Sequence, residues 1–341
     1  MTKRKTKSHG STTSSPNSRI YREVIREIRR GRSFLVTTHA NPDGDALGSA
    51  LALATGLVKL KKKVKVYNQD PVPHSLRFLP NSNWVSNHLG AGERYDVAFI
   101  VDCADLDRVS ESFVKHPGIA KRIVLDHHLR SGRAGDINLV EVKAASSGVV
   151  VYNVLKKIPV PITKEIATNV YCTLVTDTGS FRYSNTDATV HQLARDLLKI
   201  GVDPWTVSKN IYESFPVERL KLLGKVLNTL QISPDGRIAS MVLTKEMLKE
   251  TGASEDLAED FINFPRSIDS VEVAVQFREI EDGYKMSFRS KDVVDVAELA
   301  SRFGGGGHER AAGCKMKGSL PEIKEKILGA VQEALQAEFK D

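Results

Sequence analysis

Apolar positions along the chain fall into two alternating rhythms. Ser18 to a stop at Gly31, "SRIYREVIREIRRG", has the spacing of an amphipathic helix. Short β-rich runs then alternate with helical patterns: "FLVTTH" at 34–39, a helix over 46–60, "KVKVYN" at 63–68, "DVAFIVD" at 96–102, "RIVLDHH" at 122–128 and "INLVEV" at 137–142. Helical patterns follow at 146–158, 163–176 and 187–200. Continuous apolar strands separated by helices predict a mostly parallel sheet with helices on both faces, an α/β domain. From 201 to 230 the pattern is helical and carries Pro204 and Pro216, as in a connector. The order then changes to strand 237–244, helix 254–264, strands 271–280 and 284–290 joined at "EDG", helix 294–303 and a long helix 320–340. Adjacent strands with a tight turn predict a smaller, mixed-sheet α/β domain. The expected division is a disordered basic tail over 1–18, an α/β domain over 19–200, a helical connector over 201–230 and a second domain over 231–341.

Length and composition leave that picture standing. At 341 residues a division into two domains is expected, and 41% hydrophobic with 27% charged residues is ordinary for a soluble protein. Cys103, Cys172 and Cys314 are scattered with no CxxC pair, which favours a reducing compartment over a disulfide or zinc framework. The longest nearly uncharged apolar stretch, Ala46 to Val58, is well short of the ~20 residues a bilayer requires, so no membrane is expected. No apolar core follows the charged N-terminus, so a secretory signal is not expected and the cytoplasm is. The net charge of +7 is uneven: Lys3, Arg4, Lys5 and Lys7 lie in a Ser/Thr-rich stretch with no acidic residue before Glu23. A second cluster, Lys59 to Lys65, is expected to end one helix and open a strand as a solvated face. These charges are compatible with a polyanionic partner without requiring one.

Candidate chemistry changes the picture more. "TTHANPDGDALGSALAL" puts His39, Asp43 and Asp45 just before an apolar run. Asn41-Pro42-Asp43-Gly44 is turn chemistry, and Asp45 suits a cap for the helix that Ala46 begins. A capped turn leaves His39 and the second aspartate without a role. Two more apolar strands end the same way: "VAFIVD" at Asp102, and "RIVLDHH" at Asp126, His127 and His128. Asp177 appears where the helical run in "TLVTDTGSFRYSNT" breaks at Gly179. Ligands of open α/β sheets bind beyond the carboxyl ends of the strands, so these segments converge on one crevice. His39, Asp43, Asp45, Asp102, His127 and Asp177 offer four carboxylates and two imidazoles. That much negative charge calls for compensation by two divalent cations. An oxygen-rich site with some imidazole suits Mn²⁺ or Mg²⁺, with Mn²⁺ favoured by the histidines. Two such ions ~4 Å apart suit attack of an activated hydroxide on a phosphoryl centre.

"HANPDGDA", "VDCAD", "LDHH" and "TDTGSFRY" resemble the four motifs of the DHH phosphoesterase superfamily, and "RFGGGGHERAAG" at 302–313 resembles the signature of the DHH-associated domain. They occur in the family's order and span about residue 19 to the C-terminus. Length and domain pairing resemble the bacterial nanoRNase and 3′-phosphoadenosine 5′-phosphate (pAp) phosphatase group (NrnA-like). A RecJ-type exonuclease would need a longer chain, and the basic C-terminal motif of family II pyrophosphatases is missing.

The resemblance implies a manganese-dependent phosphoesterase acting on short oligoribonucleotides and on pAp. It implies one metal on His39, Asp43 and Asp102 and another on Asp45, Asp102, His127 and Asp177, with Asp102 bridging. Asp126 would orient the metal-bound imidazole, and His128 would face the scissile phosphate. Substrate recognition would fall to the second domain across an interdomain cleft. There Gly304, Gly305, Gly306 and Gly307, followed by His308, would bring backbone N–H groups against a phosphate, or else form a flexible link. Arg289 resembles the family's phosphate-anchoring arginine, against the alternative of a surface arginine on a strand. Arg108 and Arg182 are expected either at the substrate or in ion pairs; Cys103, Trp84 and Trp205 are expected in the packing. Two rival functions remain open: a cyclic dinucleotide (c-di-AMP or pApA) phosphodiesterase, and a nucleic-acid-binding module whose metal site is structural. Oligomeric state is not read from the sequence, and a homodimer is compatible with it.

Overall fold

A computed structural model describes residues 16–103, 105–128, 134–258 and 260–338. Of the tail expected over 1–18, residues 1–15 lie outside the described residues, and residues 16–18 are not disordered but begin the first helix. The chain divides into two compact units, Met1–Glu213 and Ser214–Asp341.

The first unit contains α1 (Pro16–Arg30), β1 (Ser33–Thr37), α2 (Gly44–Lys59), β2 (Lys63–Tyr67), β3 (Val85–Ser86), β4 (Val97–Val101), α3 (Glu111–Val114), β5 (Arg122–Asp126), β6 (Ile137–Val140), α4 (Ser147–Lys156), α5 (Lys164–Asp177), α6 (Ala188–Ile200) and α7 (Pro204–Tyr212). Its strands form one sheet in the order β3-β2-β1-β4-β5-β6, parallel at every pairing. The apolar side chains of these strands alternate between two cores. Phe34, Val36, Phe99, Val101, Ile123 and Leu125 pack with α1, α2, α4 and α5. Leu35, Ala98, Ile100 and Val124 face a smaller layer around Phe113 of α3. Burial on both faces is why these strands lack polar alternation.

α2 is the central helix. Gly44 through Leu57 are all buried, and α2 contacts β1, β2, β4, α4 and α5. It lies close to α5 because Gly48 has no side chain: a Cβ there would stand 2.7 Å from the Asn169 carbonyl oxygen. The lysine run ends α2 at Lys59 and opens β2 at Lys63, as expected. It is less solvated than expected: Lys62 Nζ donates to the Arg29 and Gly31 carbonyls, closing the C-terminus of α1, and Lys65 pairs with Glu93 at 2.7 Å.

The second unit contains α8 (Val217–Leu227), β7 (Gln231–Ile232), β8 (Ile238–Leu243), α9 (Lys245–Thr251), α10 (Asn263–Arg266), β9 (Val273–Ile280), β10 (Gly283–Ser290), α11 (Val296–Ser301), β11 (Gly306–His308), β12 (Ala311–Lys317) and α12 (Leu320–Glu338). Its mixed sheet runs β11-β12-β10-β9-β8-β7, with only the β8–β9 pairing parallel. Two details depart from the expectation. The helix expected over 254–264 is interrupted by Asp260 in a left-handed conformation (φ 67), while α9 forms earlier, capped by Thr244 and ended by left-handed Gly252. The glycine run is also no flexible link. Gly306–His308 pairs with an unexpected strand, β12, in the register Gly306↔Gly313, Gly307↔Ala312 and His308↔Ala311.

Candidate metal centre

The order of strands reverses between β1 and β4: the chain moves from β1 outward through β2 and β3, then returns to lay β4 on the other side of β1. Loops at the carboxyl ends of two such strands diverge and leave a crevice. His39 follows β1, Asp102 follows β4, and His127 follows β5. α2 and α5 bring the remaining acids. Asp43 is the N-cap of α2, accepting from the Ala46 N–H at 3.0 Å, so the cap expected of Asp45 falls to Asp43. Asp45 lies two residues further on, in the first turn of α2, and Asp177 is the last residue of α5.

These side chains meet in two sets, each with its ligand atoms within 4.8 Å of one another: His39, Asp43 and Asp102, and Asp45, His127 and Asp177. Asp102 lies against both. Its Oδ2 is 3.5 Å from His39 Nε2, and its Oδ1 is 3.7 Å from His127 Nε2. Around that same His127 nitrogen stand Asp45 Oδ2 at 3.7 Å and Asp177 Oδ2 at 3.6 Å. One imidazole N–H satisfies at most one of three carboxylates, and none is within hydrogen-bond range. A cation with several oxygen ligands suits this arrangement; a proton does not.

The imidazoles are prepared in the same sense. His39 Nδ1 lies 2.8 Å from the Ala40 carbonyl and His127 Nδ1 lies 3.1 Å from the Ala144 carbonyl. A carbonyl only accepts, so Nδ1 carries a proton and Nε2 is the ring atom turned toward the carboxylates, the usual arrangement behind a metal-ligating histidine. His128 is held differently. Asp126 Oδ1 accepts from its Nδ1 and from the backbone N–H groups of His127 and His128. The Asp126 carboxylate thus grips the His128 ring, and the expectation that it orients the ligand imidazole is corrected: the Ala144 carbonyl does that.

Burial and crowding set the charges. Asp45 and Asp177 are pushed well above the ordinary carboxylate range, first by burial and then by the charge of Asp102. Asp102 is held below it: burial opposes, but the hydrogen bond with His39 and the charges of His128, His39 and His127 prevail. His39 rises to about 9, burial again opposing and Asp102 and Asp43 prevailing. His128 is raised through Asp126 against its burial. Left to itself, the cluster recruits protons to offset its negative charge. Divalent cations do the same with better geometry, so the donor set fits them. Asp102 also has φ 57, a costly conformation for a residue other than glycine and one common at functional sites.

Ser147 is a member of this cluster that the sequence reading missed. Its hydroxyl donates to Asp102 Oδ1 at 2.9 Å, and its backbone N–H donates to Asp45 Oδ2 at 2.7 Å. The available signal was Ser146-Ser147-Gly148 ahead of an apolar helix, which reads only as a helix start.

The other expected residues are placed as follows. Cys103 is buried and its thiol is pushed up to about 11 by burial, as a core cysteine should be. Trp84 and Trp205 are exposed, not packed, at 37% and 58%. Arg108 is exposed, and its charge acts on His39; Arg182 Nε donates to the Gly179 carbonyl at 2.5 Å. Neither arginine makes an ion pair among the described residues. In the second unit, Arg289 of β10 lies in register with Ala311 of β12, which pairs with His308 of β11. The register sets these two positions at the same level of the sheet; the His308 side chain lies outside the described part. A Cβ on Gly305 would stand 2.2 Å from the Gly313 carbonyl oxygen, and one on Gly307 would stand 2.5 Å from that of Ala311. Gly305 and Gly307 are thus demanded by strand packing, whatever else they do.

Comparison with known proteins agrees with this architecture. Residues 33–174 match the DHH family, N-terminal domain, and residues 238–337 match the DHHA1 domain. A Thermus thermophilus protein named bifunctional oligoribonuclease and PAP phosphatase NrnA is 33% identical over 93% of this chain and 94% of its own. A Streptococcus mutans protein named probable bifunctional oligoribonuclease and PAP phosphatase NrnA is 28% identical over 86% of this chain and 92% of its own. The crystal structure of an exopolyphosphatase-related protein from Bacteroides fragilis superposes with a TM-score of 0.83 at 27% identity, covering 94% of this chain and 96% of that one.

Proposed function

The chain belongs to the DHH family and is a phosphoric ester hydrolase, and on that premise we propose that it cleaves short oligoribonucleotides and removes the 3′-phosphate of pAp. The observation that carries the reading is the convergence of three carboxylate oxygens, from α2, the residue after β4, and α5, within 3.7 Å of His127 Nε2 at the sheet's switch point.

His39, Asp43 and Asp102 would hold one divalent cation, and Asp45, Asp102, His127 and Asp177 a second, Mn²⁺ before Mg²⁺. Bound there, the pair supplies Lewis acidity toward a phosphoryl group and generates a water nucleophile near neutral pH. The chain's own residues do the rest. Asp102 keeps one oxygen toward each set. Asp126 holds Nδ1 of His128, so that Nε2 would donate a proton to the leaving oxygen or a hydrogen bond to the charge growing on the phosphoryl oxygens. Burial opposes, but the hydrogen bond to Asp126 and the charges of Asp102 and Asp126 raise the proton affinity of His128. Arg289, with Gly305, Gly306, Gly307 and His308, would bind the substrate's terminal phosphate.

Turnover of pAp, di- and trinucleotides and c-di-AMP by metal-stripped protein, with and without Mn²⁺, tests this. We expect no turnover without metal, with pAp and the short linear oligonucleotides restored best by Mn²⁺. Preference for the cyclic dinucleotide would replace the substrate assignment. Full activity in stripped protein would overturn the metal assignment.

A further inference from the structure

α4 starts in an unusual way. Ser146 has the extended backbone of an N-cap, φ −161 and ψ 161, yet makes no capping bond. Its hydroxyl is engaged with Thr173 Oγ1 of α5 at 2.9 Å. The first N–H groups of a helix lack intrahelical partners and need an acceptor from elsewhere. Here that acceptor is Asp45 of α2, which takes the Ser147 N–H at 2.7 Å and the Gly148 N–H at 3.1 Å, and also the Ser49 hydroxyl at 3.0 Å. One helix's carboxylate thus caps another helix. The hydroxyl of Ser147 has no capping duty and donates at 2.9 Å to Asp102 Oδ1. Ser146, Ser147 and Ser49 are completely buried, so water does not compete for these bonds.

What the bond does follows from Asp102. Its two oxygens face different sides, Oδ2 toward His39 and Oδ1 toward His127. The terminal torsion of an aspartate is broad and holds no fixed angle by itself. The Ser147 hydroxyl defines that angle from one side, and it is itself fixed by the α4 start, locked to α5 through Ser146 and Thr173.

We propose that Ser147 is a positioning residue for cation binding: its hydroxyl sets the twist of the Asp102 carboxylate so that one oxygen serves each cation position. The proposal rests on the two-cation reading above. Because a donated hydrogen bond also makes a carboxylate less basic, its benefit to the cations lies in orientation, and Ser147→Ala leaves a more basic but freely turning ligand. The backbone N–H groups that hold Asp45 are retained in that variant.

The test is titration of metal-stripped full-length protein with Mn²⁺, following free Mn²⁺ by electron paramagnetic resonance, for the parent, Ser147→Ala and Ser147→Thr. Loss of a partner behind a metal ligand weakens binding by roughly ten- to a hundredfold. We expect at least a tenfold weakening in Ser147→Ala and recovery to within a few-fold of the parent in Ser147→Thr, which keeps the hydroxyl. Parent-like affinity in Ser147→Ala would overturn the proposal, even if the metal-free variant melts lower, because the bond would then be structural. Equal weakening in both variants would overturn it as well, showing that side-chain volume and not the hydroxyl matters. A parent protein that takes up no Mn²⁺ would instead overturn the two-cation reading, whatever the variants do.

Discussion

Each of His39, Asp102, Asp126 and His127 ends or closely follows a strand whose middle is apolar and buried on both faces, and such a strand has no packing reason to finish in ligand-type side chains. That makes them visible in the sequence. Asp43 and Asp45 are harder to tell apart, because both kinds of cap, local and remote, look alike in a turn; only the fold brings α4 to Asp45. Their charges lead to a prediction. In the metal-free protein, Asp45 and Asp177 have folded pKa values above the unfolded 3.8, so their contribution is fully present below 3.8 and is lost as pH rises through the folded values. His39 acts in the same direction: raised from 6.5 to about 9, it stabilises fully below 6.5 and loses that contribution as pH rises through about 9. Asp102 has the opposite sign, but its contribution is lost only as pH falls below 3.8. The melting temperature of metal-free protein should therefore fall between pH 6.5 and 9, and saturating Mn²⁺ should abolish the fall by replacing protons with cations. A flat or rising profile without metal would show that these charges do not govern stability.

At the scale of elements, the long periodic segments were readable and the small-residue ones were not. β12, Ala311–Lys317, begins with two alanines and a glycine, so its alternation of Ala312, Cys314 and Met316 against the core is short and weak, and its strand character comes largely from partners on both sides that need close backbone approach. The same principle locks the metal centre. A Cβ on Gly148 would stand 2.0 Å from Thr173 Oγ1, whose own bonds to the Val170 carbonyl and Ser146 hold it in place. Gly148→Ala should cost about 1–3 kcal/mol, the usual range for overpacking, and should weaken Mn²⁺ binding by displacing the N–H groups that hold Asp45. At Gly329 within α12, by contrast, an added Cβ would meet nothing within 4 Å, so Gly329→Ala should instead stabilise by roughly 0.5–1 kcal/mol. Urea unfolding of both variants checks the pair. Equal effects would mean that backbone entropy, not the approach of α4 to α5, decides the outcome.

The whole molecule consists of two units with separate cores: one around α2 and the parallel sheet, the other around β9, β10 and α12. The change from continuous apolar strands to a hairpin order announced two architectures in the sequence. The break itself fell at 213/214, between α7 and α8, where helical periodicity continues on both sides and gives no mark. Every proposed metal ligand lies in the first unit, whereas Arg289 lies in the second, on the β10 position level with Ala311 and His308. If chemistry and phosphate recognition are divided in this way, they should be separable by mutation. Arg289→Ala should reduce turnover of pAp and dinucleotides by an order of magnitude or more, in line with the ~1.5–3 kcal/mol of a charge-assisted hydrogen bond, while Mn²⁺ binding stays intact. The loss should be much smaller on bis-p-nitrophenyl phosphate, which has no terminal phosphate to hold. Steady-state kinetics on both substrates, with Mn²⁺ titrations alongside, decide the matter. Equal losses on the two substrates, or weakened Mn²⁺ binding, would place Arg289 in support of the fold or the metals and remove it from substrate recognition.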